Sequence, residues 1–143
     1  MKHKKIILTT LLITISFSIN AQAIFGTWNS RNGDTGKIDS VIEVYEQNGK
    51  AFAKIIAIKN PDKKNAICDL CEGKNKNKLI LGLNILTGLE EDGDEWSGGK
   101  ILDPRNGKVY KCYIKLEGAN KLKIRGYIGF ALIGKTAYWE RAE

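Results

Sequence analysis

Histidine is almost absent from this sequence of 143 residues. Its single histidine, His3, lies in an N-terminal stretch with the composition of an export signal, so the chain that follows has none. Without an imidazole there is no Ser-His or Cys-His pair to activate a nucleophile, and no histidine ligand for a metal ion. The sequence therefore excludes histidine-dependent hydrolases and histidine-based zinc sites.

The common catalytic motifs are also missing. The sequence contains no P-loop, no Gly-x-Ser-x-Gly and no His-Glu-x-x-His. The acidic run at residues 90–95 lacks the spaced ligands of a calcium loop, and a solvated hairpin tip explains it more simply. No carboxylate lies on the apolar face of a predicted strand, where a buried acid–base pair would be needed. We therefore expect no catalytic residue, no bound metal and no cofactor.

The first 23 residues have the three parts of a cleaved signal peptide. Lysines near the start precede an uncharged run at residues 6–19, and Ala21-Gln22-Ala23 has the small-x-small pattern of a cleavage site. The apolar run is short for a membrane span, and no cysteine directly follows the cleavage point to carry a lipid. We expect a periplasmic or secreted protein with no stable membrane anchor, and one mature domain at residues 24–143.

Removal of the signal leaves a mildly basic chain. Cleavage after residue 23 removes three of the 23 Lys and Arg residues and none of the 16 Asp and Glu residues, so the net charge falls from +7 to +4. The remaining cations are mostly lysines scattered along predicted strands, without the aromatic-basic patch that nucleic-acid binding requires. We expect no nucleic-acid partner.

No segment of the mature chain has the long apolar period of a helix, and the sequence has only two prolines. Short β-rich segments take the place of helices. The clearest follows a turn at residues 103–107, where Tyr110, Cys112 and Ile114 alternate with residues of the opposite face. Asn48-Gly49 is a strong hairpin signal. The predicted strands are residues 27–30, 39–47, 50–58, 95–102, 108–117, 121–128 and 136–141, with 79–86 either a strand or a buried loop. Strands joined by tight turns indicate an all-β antiparallel fold, either an up-and-down barrel or a sandwich.

The two ends of the mature chain favour the barrel. Gly26-Thr27-Trp28 stands near the start and Trp139-Glu140-Arg141 stands at the end. In a closed barrel the first and last strands are neighbours, so the guanidinium of Arg141 can lie on the indole face of Trp28. Such a cation–π contact contributes ~1 kcal/mol. The alternative is that Trp28 is an ordinary core tryptophan.

Six short segments of the mature chain occur in a characteristic order. They are Gly26-Thr27-Trp28, Leu79-Ile80-Leu81-Gly82-Leu83, Trp96-Ser97-Gly98-Gly99, Asp103-Pro104 with Asn106-Gly107-Lys108-Val109-Tyr110, Leu122-Lys123-Ile124-Arg125-Gly126-Tyr127 and Trp139-Glu140-Arg141. Because it carries these six segments in this order, the chain resembles the DUF2147 family of exported bacterial proteins. The resemblance implies a lipocalin-like barrel of about eight strands, located in the periplasm or outside the cell. It implies no reaction and assigns no functional residue, because the family has no established biochemical activity.

Residues 59–78, with Lys59 and Lys78 at the two ends, form a long lysine-rich connection that contains Cys68 and Cys71. A structural disulfide between these cysteines suits an exported protein. The alternatives are half of a zinc site, a redox-active Cys-x-x-Cys, reduced thiols, and a bond to Cys112. Zinc lacks a fourth ligand, and no thioredoxin-like frame surrounds the pair. We expect the disulfide, with Cys112 buried and unpaired.

The alternation along the strands predicts which side chains face the inside of a barrel. The predicted ligand-binding residues form an apolar lining with one phenol: Tyr110, Ile114, Leu122, Ile124 and Trp139. A barrel of about eight strands has an interior that side chains or one small ligand can fill. We therefore expect a non-enzymatic protein that binds a small apolar or amphipathic molecule. The alternatives are a filled barrel that contacts an acidic envelope partner through residues 59–78, and a thiol–disulfide redox protein acting through Cys68 and Cys71.

Overall fold

A computed structural model describes residues 23–142 of the chain. The predicted signal peptide lies outside the described residues, apart from Ala23. Within this range no helix is both long enough and apolar enough to cross a membrane. The same range contains no cluster of three His, Cys, Asp or Glu side chains placed to share a metal ion.

Eight antiparallel strands form a closed barrel in which each strand pairs with the next and the last pairs with the first. The strands are β1 (Gly26–Arg31), β2 (Ile38–Gln47), β3 (Lys50–Ile58), β4 (Asn84–Asp92), β5 (Glu95–Asp103), β6 (Lys108–Leu116), β7 (Lys121–Tyr127) and β8 (Gly134–Arg141). Two short 3-10 helices, Pro61–Lys63 and Gly73–Asn75, lie in the connection between β3 and β4. The predicted all-β, up-and-down barrel is confirmed.

Local turn chemistry closes the hairpins where the sequence predicts. Asn48 and Gly49 have φ angles of 53° and 76°, as a two-residue hairpin loop between β2 and β3 requires. In the β5–β6 turn, the carboxylate of Asp103 accepts hydrogen bonds from the backbone N–H of Arg105 at 3.0 Å and from its guanidinium at 2.8 and 3.0 Å. The bond from the guanidinium holds the pKa of Asp103 below its usual range.

Strand β4 begins five residues later than the predicted segment at 79–86, and it includes part of the acidic run that we expected at a hairpin tip. Leu86 and Leu89 are both buried although they are three residues apart. Gly88, with φ of 71°, lies between them at an irregularity of the β3–β4 pairing, which changes the alternation of faces. Beyond it the carboxylates point to solvent, where Glu90 pairs with Lys50 at 3.2 Å.

The barrel interior holds one continuous apolar cluster. Its buried members come from every strand except β5, and the cluster contains Trp28, Ile42, Val44, Ala51, Ala53, Ile55, Leu86, Leu89, Cys112, Ile114, Leu122, Ile124 and Trp139. No polar or charged side chain is buried among the described residues. The interior therefore offers a ligand no buried polar partner in the described part of the chain.

Up-and-down topology gives the barrel two ends with different connections. One end, called the loop end, carries the connections at residues 32–37, 59–83, 104–107 and 128–133. The opposite end, called the closed end, carries residues 23–25 and the short turns at 48–49, 93–94 and 117–120. Long segments that could contact another molecule are thus concentrated at the loop end.

Candidate functional site

The structure brings four of the five predicted lining residues together inside the barrel. Ile114 and Leu122 have no solvent-accessible surface, and Ile124 and Trp139 are 2% and 5% exposed. A side chain without accessible surface has no room beside it even for a water molecule, so these side chains fill the interior around them. Tyr110 lies at the loop end of the same face, half-buried, and its phenol oxygen accepts a hydrogen bond from Nδ2 of Asn106 at 3.1 Å.

The predicted contact between Trp28 and Arg141 is present at the closed end. The guanidinium carbon of Arg141 lies 4.2 Å from the centroid of the indole, which is fully buried. The guanidinium also donates hydrogen bonds to the carbonyl oxygens of Ala23, Phe25 and Ala119, at 3.0, 3.2 and 3.0 Å. Indole Nε1 in turn donates to the carbonyl oxygen of Ile24 at 2.9 Å. This pair joins the first and last strands and also holds the N-terminal segment across the closed end.

Cys68 and Cys71 form the predicted disulfide, with 5.3 Å between their Cα atoms. Both sulfurs are buried in a small second cluster with Leu83 and Leu102, on the outer side of β5. The backbone of Leu70 lies so close to Gly107, in the β5–β6 turn, that a β-carbon there would overlap its carbonyl oxygen. The disulfide-bonded segment of the β3–β4 connection therefore packs directly against the β5–β6 hairpin.

Cys112 is the one unpaired cysteine and is fully buried in the barrel interior, as predicted. Burial raises the pKa of its thiol to about 12, because the thiolate would lose its hydration. At neutral pH this cysteine is a protonated, apolar core side chain. With the other two sulfurs buried in a disulfide, the described chain presents no exposed thiolate for redox exchange.

Exposed apolar side chains are concentrated at the loop end. Eleven large hydrophobic side chains are exposed among the described residues, and eight of them lie on the connections at 59–83 and 128–133. We call residues 128–133, between β7 and β8, the apolar tip. Its members Ile128, Phe130, Leu132 and Ile133 are 68%, 75%, 92% and 64% exposed. Sequence analysis missed the apolar tip, although the uncharged run from residue 126 to residue 134, which does not alternate, is visible in the sequence.

The loop end is also more basic than the closed end. Its four connections contain eight Lys or Arg residues and four Asp or Glu residues. The connections of the closed end contain only two charged residues, Asp94 and Glu117, both acidic. One loop-end cation, Arg105, is neutralised by Asp103 of β5. A surplus of three cations therefore accompanies the exposed apolar side chains.

An open groove of about 450 Å3 runs between the β3–β4 connection and strands β3 and β4. Its walls combine cations with apolar side chains, among them Phe52, Lys74, Lys78, Leu79 and Leu81. The predicted interior residues do not line it. The groove forms a concave, partly basic surface along the side of the barrel, beside the β3–β4 connection.

A protein-family model matches the whole barrel-forming part of the chain. Residues 26–141, from the start of β1 to the end of β8, match DUF2147, whose description is "uncharacterized protein conserved in bacteria". The chain belongs to the DUF2147 family. Both closing residues of this DUF2147 member, Trp28 and Arg141, lie within the matched range.

A solved structure supports the same fold for this DUF2147 protein. Protein HP1028 of Helicobacter pylori, described as belonging to the lipocalin family, superposes with a TM-score of 0.73 at 23% identity. The similarity covers 85% of this chain and 84% of HP1028. At this identity the likeness establishes the fold alone. Comparison with curated proteins finds no match.

Proposed function

We propose that this protein is an exported, non-enzymatic binding protein that acts through the loop end of a filled barrel. The observation that carries the proposal is the concentration of eight of the eleven exposed large apolar side chains on two loop-end connections. Exposed apolar surface of this kind marks an interaction site, because it is costly to leave in water. The cation surplus at the same end favours an acidic partner.

Packing in the interior supports a surface role over an enclosed ligand. Trp28, Leu86, Leu89, Ile114 and Leu122 are all without accessible surface, so no space adjoins them. Protein interiors packed to this degree do not open without loss of contact energy. The interior side chains therefore stabilise the barrel, and the loops are left to make contact with other molecules.

A loop-end binding site predicts that cell-envelope retention depends on loop-end lysines. We expect the mature protein to sediment with isolated envelope fractions at low ionic strength and to be released by salt, since exposed charges are screened. The triple variant Lys63→Gln, Lys64→Gln, Lys74→Gln should lower the retained fraction several-fold, because it removes the surplus of three cations.

The matched control removes three cations from strand positions nearer the closed end: Lys50→Gln, Lys115→Gln, Lys123→Gln. Its net charge changes equally, so it should be retained as the wild type is. Equal losses in the two variants, or no retention of the wild type, would overturn the proposal. Circular dichroism of both variants checks that the barrel is folded.

A second candidate function is the binding of a small apolar molecule inside the barrel, which the lipocalin-like fold favours. The partly buried Ile80 of the β3–β4 connection packs against both the interior cluster and the disulfide cluster, so entry past it would require this connection to move.

Native mass spectrometry of protein from its own host separates the two candidates. For a filled barrel we expect the mass of the mature chain with one disulfide and no other species, and lipid extraction should recover nothing stoichiometric. A co-purifying apolar molecule, lost when the chain is denatured, would favour the enclosed site and contradict the filled barrel.

A further inference from the structure

The apolar tip between β7 and β8 has no charged or polar side chain. From residue 126 to residue 134 the sequence reads GYIGFALIG, and the only hydroxyl in it belongs to Tyr127. Single exposed apolar residues are normal on a protein surface, but four large ones on one six-residue loop are not. A protein interface normally includes hydrogen-bonding side chains, which the apolar tip lacks.

Much of the backbone of the apolar tip is hydrogen-bonded within the protein: five of its six carbonyl groups and three of its six N–H groups have partners. Nε and Nη2 of Arg125 donate to the carbonyl oxygens of Ala131 and Leu132 at 2.8 and 3.1 Å, and Nη1 donates to the hydroxyl of Thr136 at 3.0 Å. Within the tip, Ile128 N–H donates to Ile133 at 3.1 Å, and Ile133 N–H donates to Phe130 at 2.9 Å.

These bonds reduce the cost of moving the apolar tip out of water. A backbone carbonyl or N–H group that enters an apolar phase without a partner costs several kcal/mol. At the base of the tip, a β-carbon on Gly134 would overlap the carbonyl oxygen of Gly126, so β8 approaches β7 closely there. The result is an exposed apolar loop that is held by hydrogen bonds at the end of a closely paired hairpin.

We propose that the apolar tip inserts into the surface of an anionic lipid bilayer. Such a surface supplies an apolar layer for Phe130 and Leu132 and, directly above it, phosphate groups for the cations. Arg125 and Lys135, on the two strands that carry the tip, lie at its base, and no acidic residue lies between positions 118 and 139. Apolar insertion and attraction to anionic headgroups act together in reversible membrane association. The inference rests on the proposed function and names the partner of the loop end.

Vesicle sedimentation of the mature protein tests the insertion. We expect binding to vesicles of phosphatidylethanolamine with phosphatidylglycerol, weaker binding to phosphatidylcholine alone, and release by salt. Phe130→Ser with Leu132→Ser should weaken binding by at least about tenfold, because two large side chains no longer leave water. The control, Tyr138→Ser with Val109→Ser, removes one exposed aromatic and one exposed aliphatic side chain outside the tip and should bind as the wild type does.

A fluorescence measurement on Phe130→Trp tests the depth of the tip without removing its apolar character. We expect the emission of the added indole to shift to the blue on anionic vesicles and to be quenched by brominated acyl chains. No vesicle binding by the wild type, equal losses in the two double variants, or an unquenched indole would each overturn the inference.

The outcomes also separate this inference from the proposed function. If envelope retention depends on the loop-end lysines while pure lipid vesicles bind nothing, the partner is a non-lipid envelope component and only the insertion is wrong. If the protein binds neither envelope fractions nor vesicles, both proposals fail.

Discussion

Replacing Trp28 with alanine is expected to lower the free energy of unfolding by about 3–5 kcal/mol, as for other buried tryptophans. The indole is fully buried, so its loss leaves a cavity bounded by the first and last strands. The change also removes the hydrogen-bond donor to Ile24 and the ring that the guanidinium of Arg141 covers. Domains of this kind are stable by only about 5–15 kcal/mol, so the variant should be close to unfolding at physiological temperature.

Urea denaturation followed by fluorescence or circular dichroism measures this loss. Tyr138→Ala is the control, because that aromatic side chain is 44% exposed on β8 and its removal leaves no cavity. We expect the control to lose less than about 1 kcal/mol. A loss of that small size for Trp28→Ala would mean that the indole does not close the barrel.

Arg141→Ala, measured by the same urea denaturation, separates the contribution of the Arg141 guanidinium to the free energy of unfolding from that of the Trp28 indole. Sequence analysis predicts only the cation–π contact, but the side chain also donates three hydrogen bonds to backbone carbonyl oxygens. Hydrogen bonds from a charged donor are stronger than those from a neutral donor. Arg141→Ala should therefore lower the free energy of unfolding by more than the ~1 kcal/mol of the cation–π contact. Combined with Trp28→Ala, the double-mutant cycle reports the coupling between ring and guanidinium.

Replacing Gly107 with alanine is expected to detach the β3–β4 connection from the β5–β6 hairpin. The new β-carbon would overlap the carbonyl oxygen of Leu70, which belongs to the segment between the two bonded cysteines. The connection must therefore move outward, which exposes Leu102 and the disulfide to solvent. We expect a loss of stability beyond the roughly 1–2 kcal/mol that a left-handed φ costs alanine, and faster reduction of the disulfide by dithiothreitol.

Gly49→Ala is a closely matched control for this experiment. Its φ of 76° is close to the 72° of Gly107, but a β-carbon at position 49 meets no atom within 4 Å. Both variants bear the backbone strain, and only Gly107→Ala bears the clash. Equal stabilities and equal rates of reduction in the two variants would show that the connection does not depend on its contact with the hairpin.

The sequence by itself determined the features that depend on neighbouring residues. The Asn48-Gly49 and 103–107 turns, the alternation along β6 and the buried, unpaired Cys112 were all predicted correctly. Turn chemistry and the two-residue period of a strand act within a few positions, so a single chain displays them. The Trp28–Arg141 contact was also predictable, because closure of an up-and-down barrel makes the chain ends neighbours.

Only the tertiary structure decided how much room the interior has and which surfaces stay uncovered. Alternation indicates that Ile114 and Leu122 face inward, but the volumes of side chains from the other strands decide whether they leave a cavity. The sequence could not decide whether the apolar run 79–86 is a strand or a loop. In the structure its first five residues belong to the β3–β4 connection and the other three belong to β4. Leu102 is covered and Leu132 is left exposed, although both are leucines at the loop end. Long-range packing of the β3–β4 connection made that difference, because it covers β5 and leaves the apolar tip in solvent.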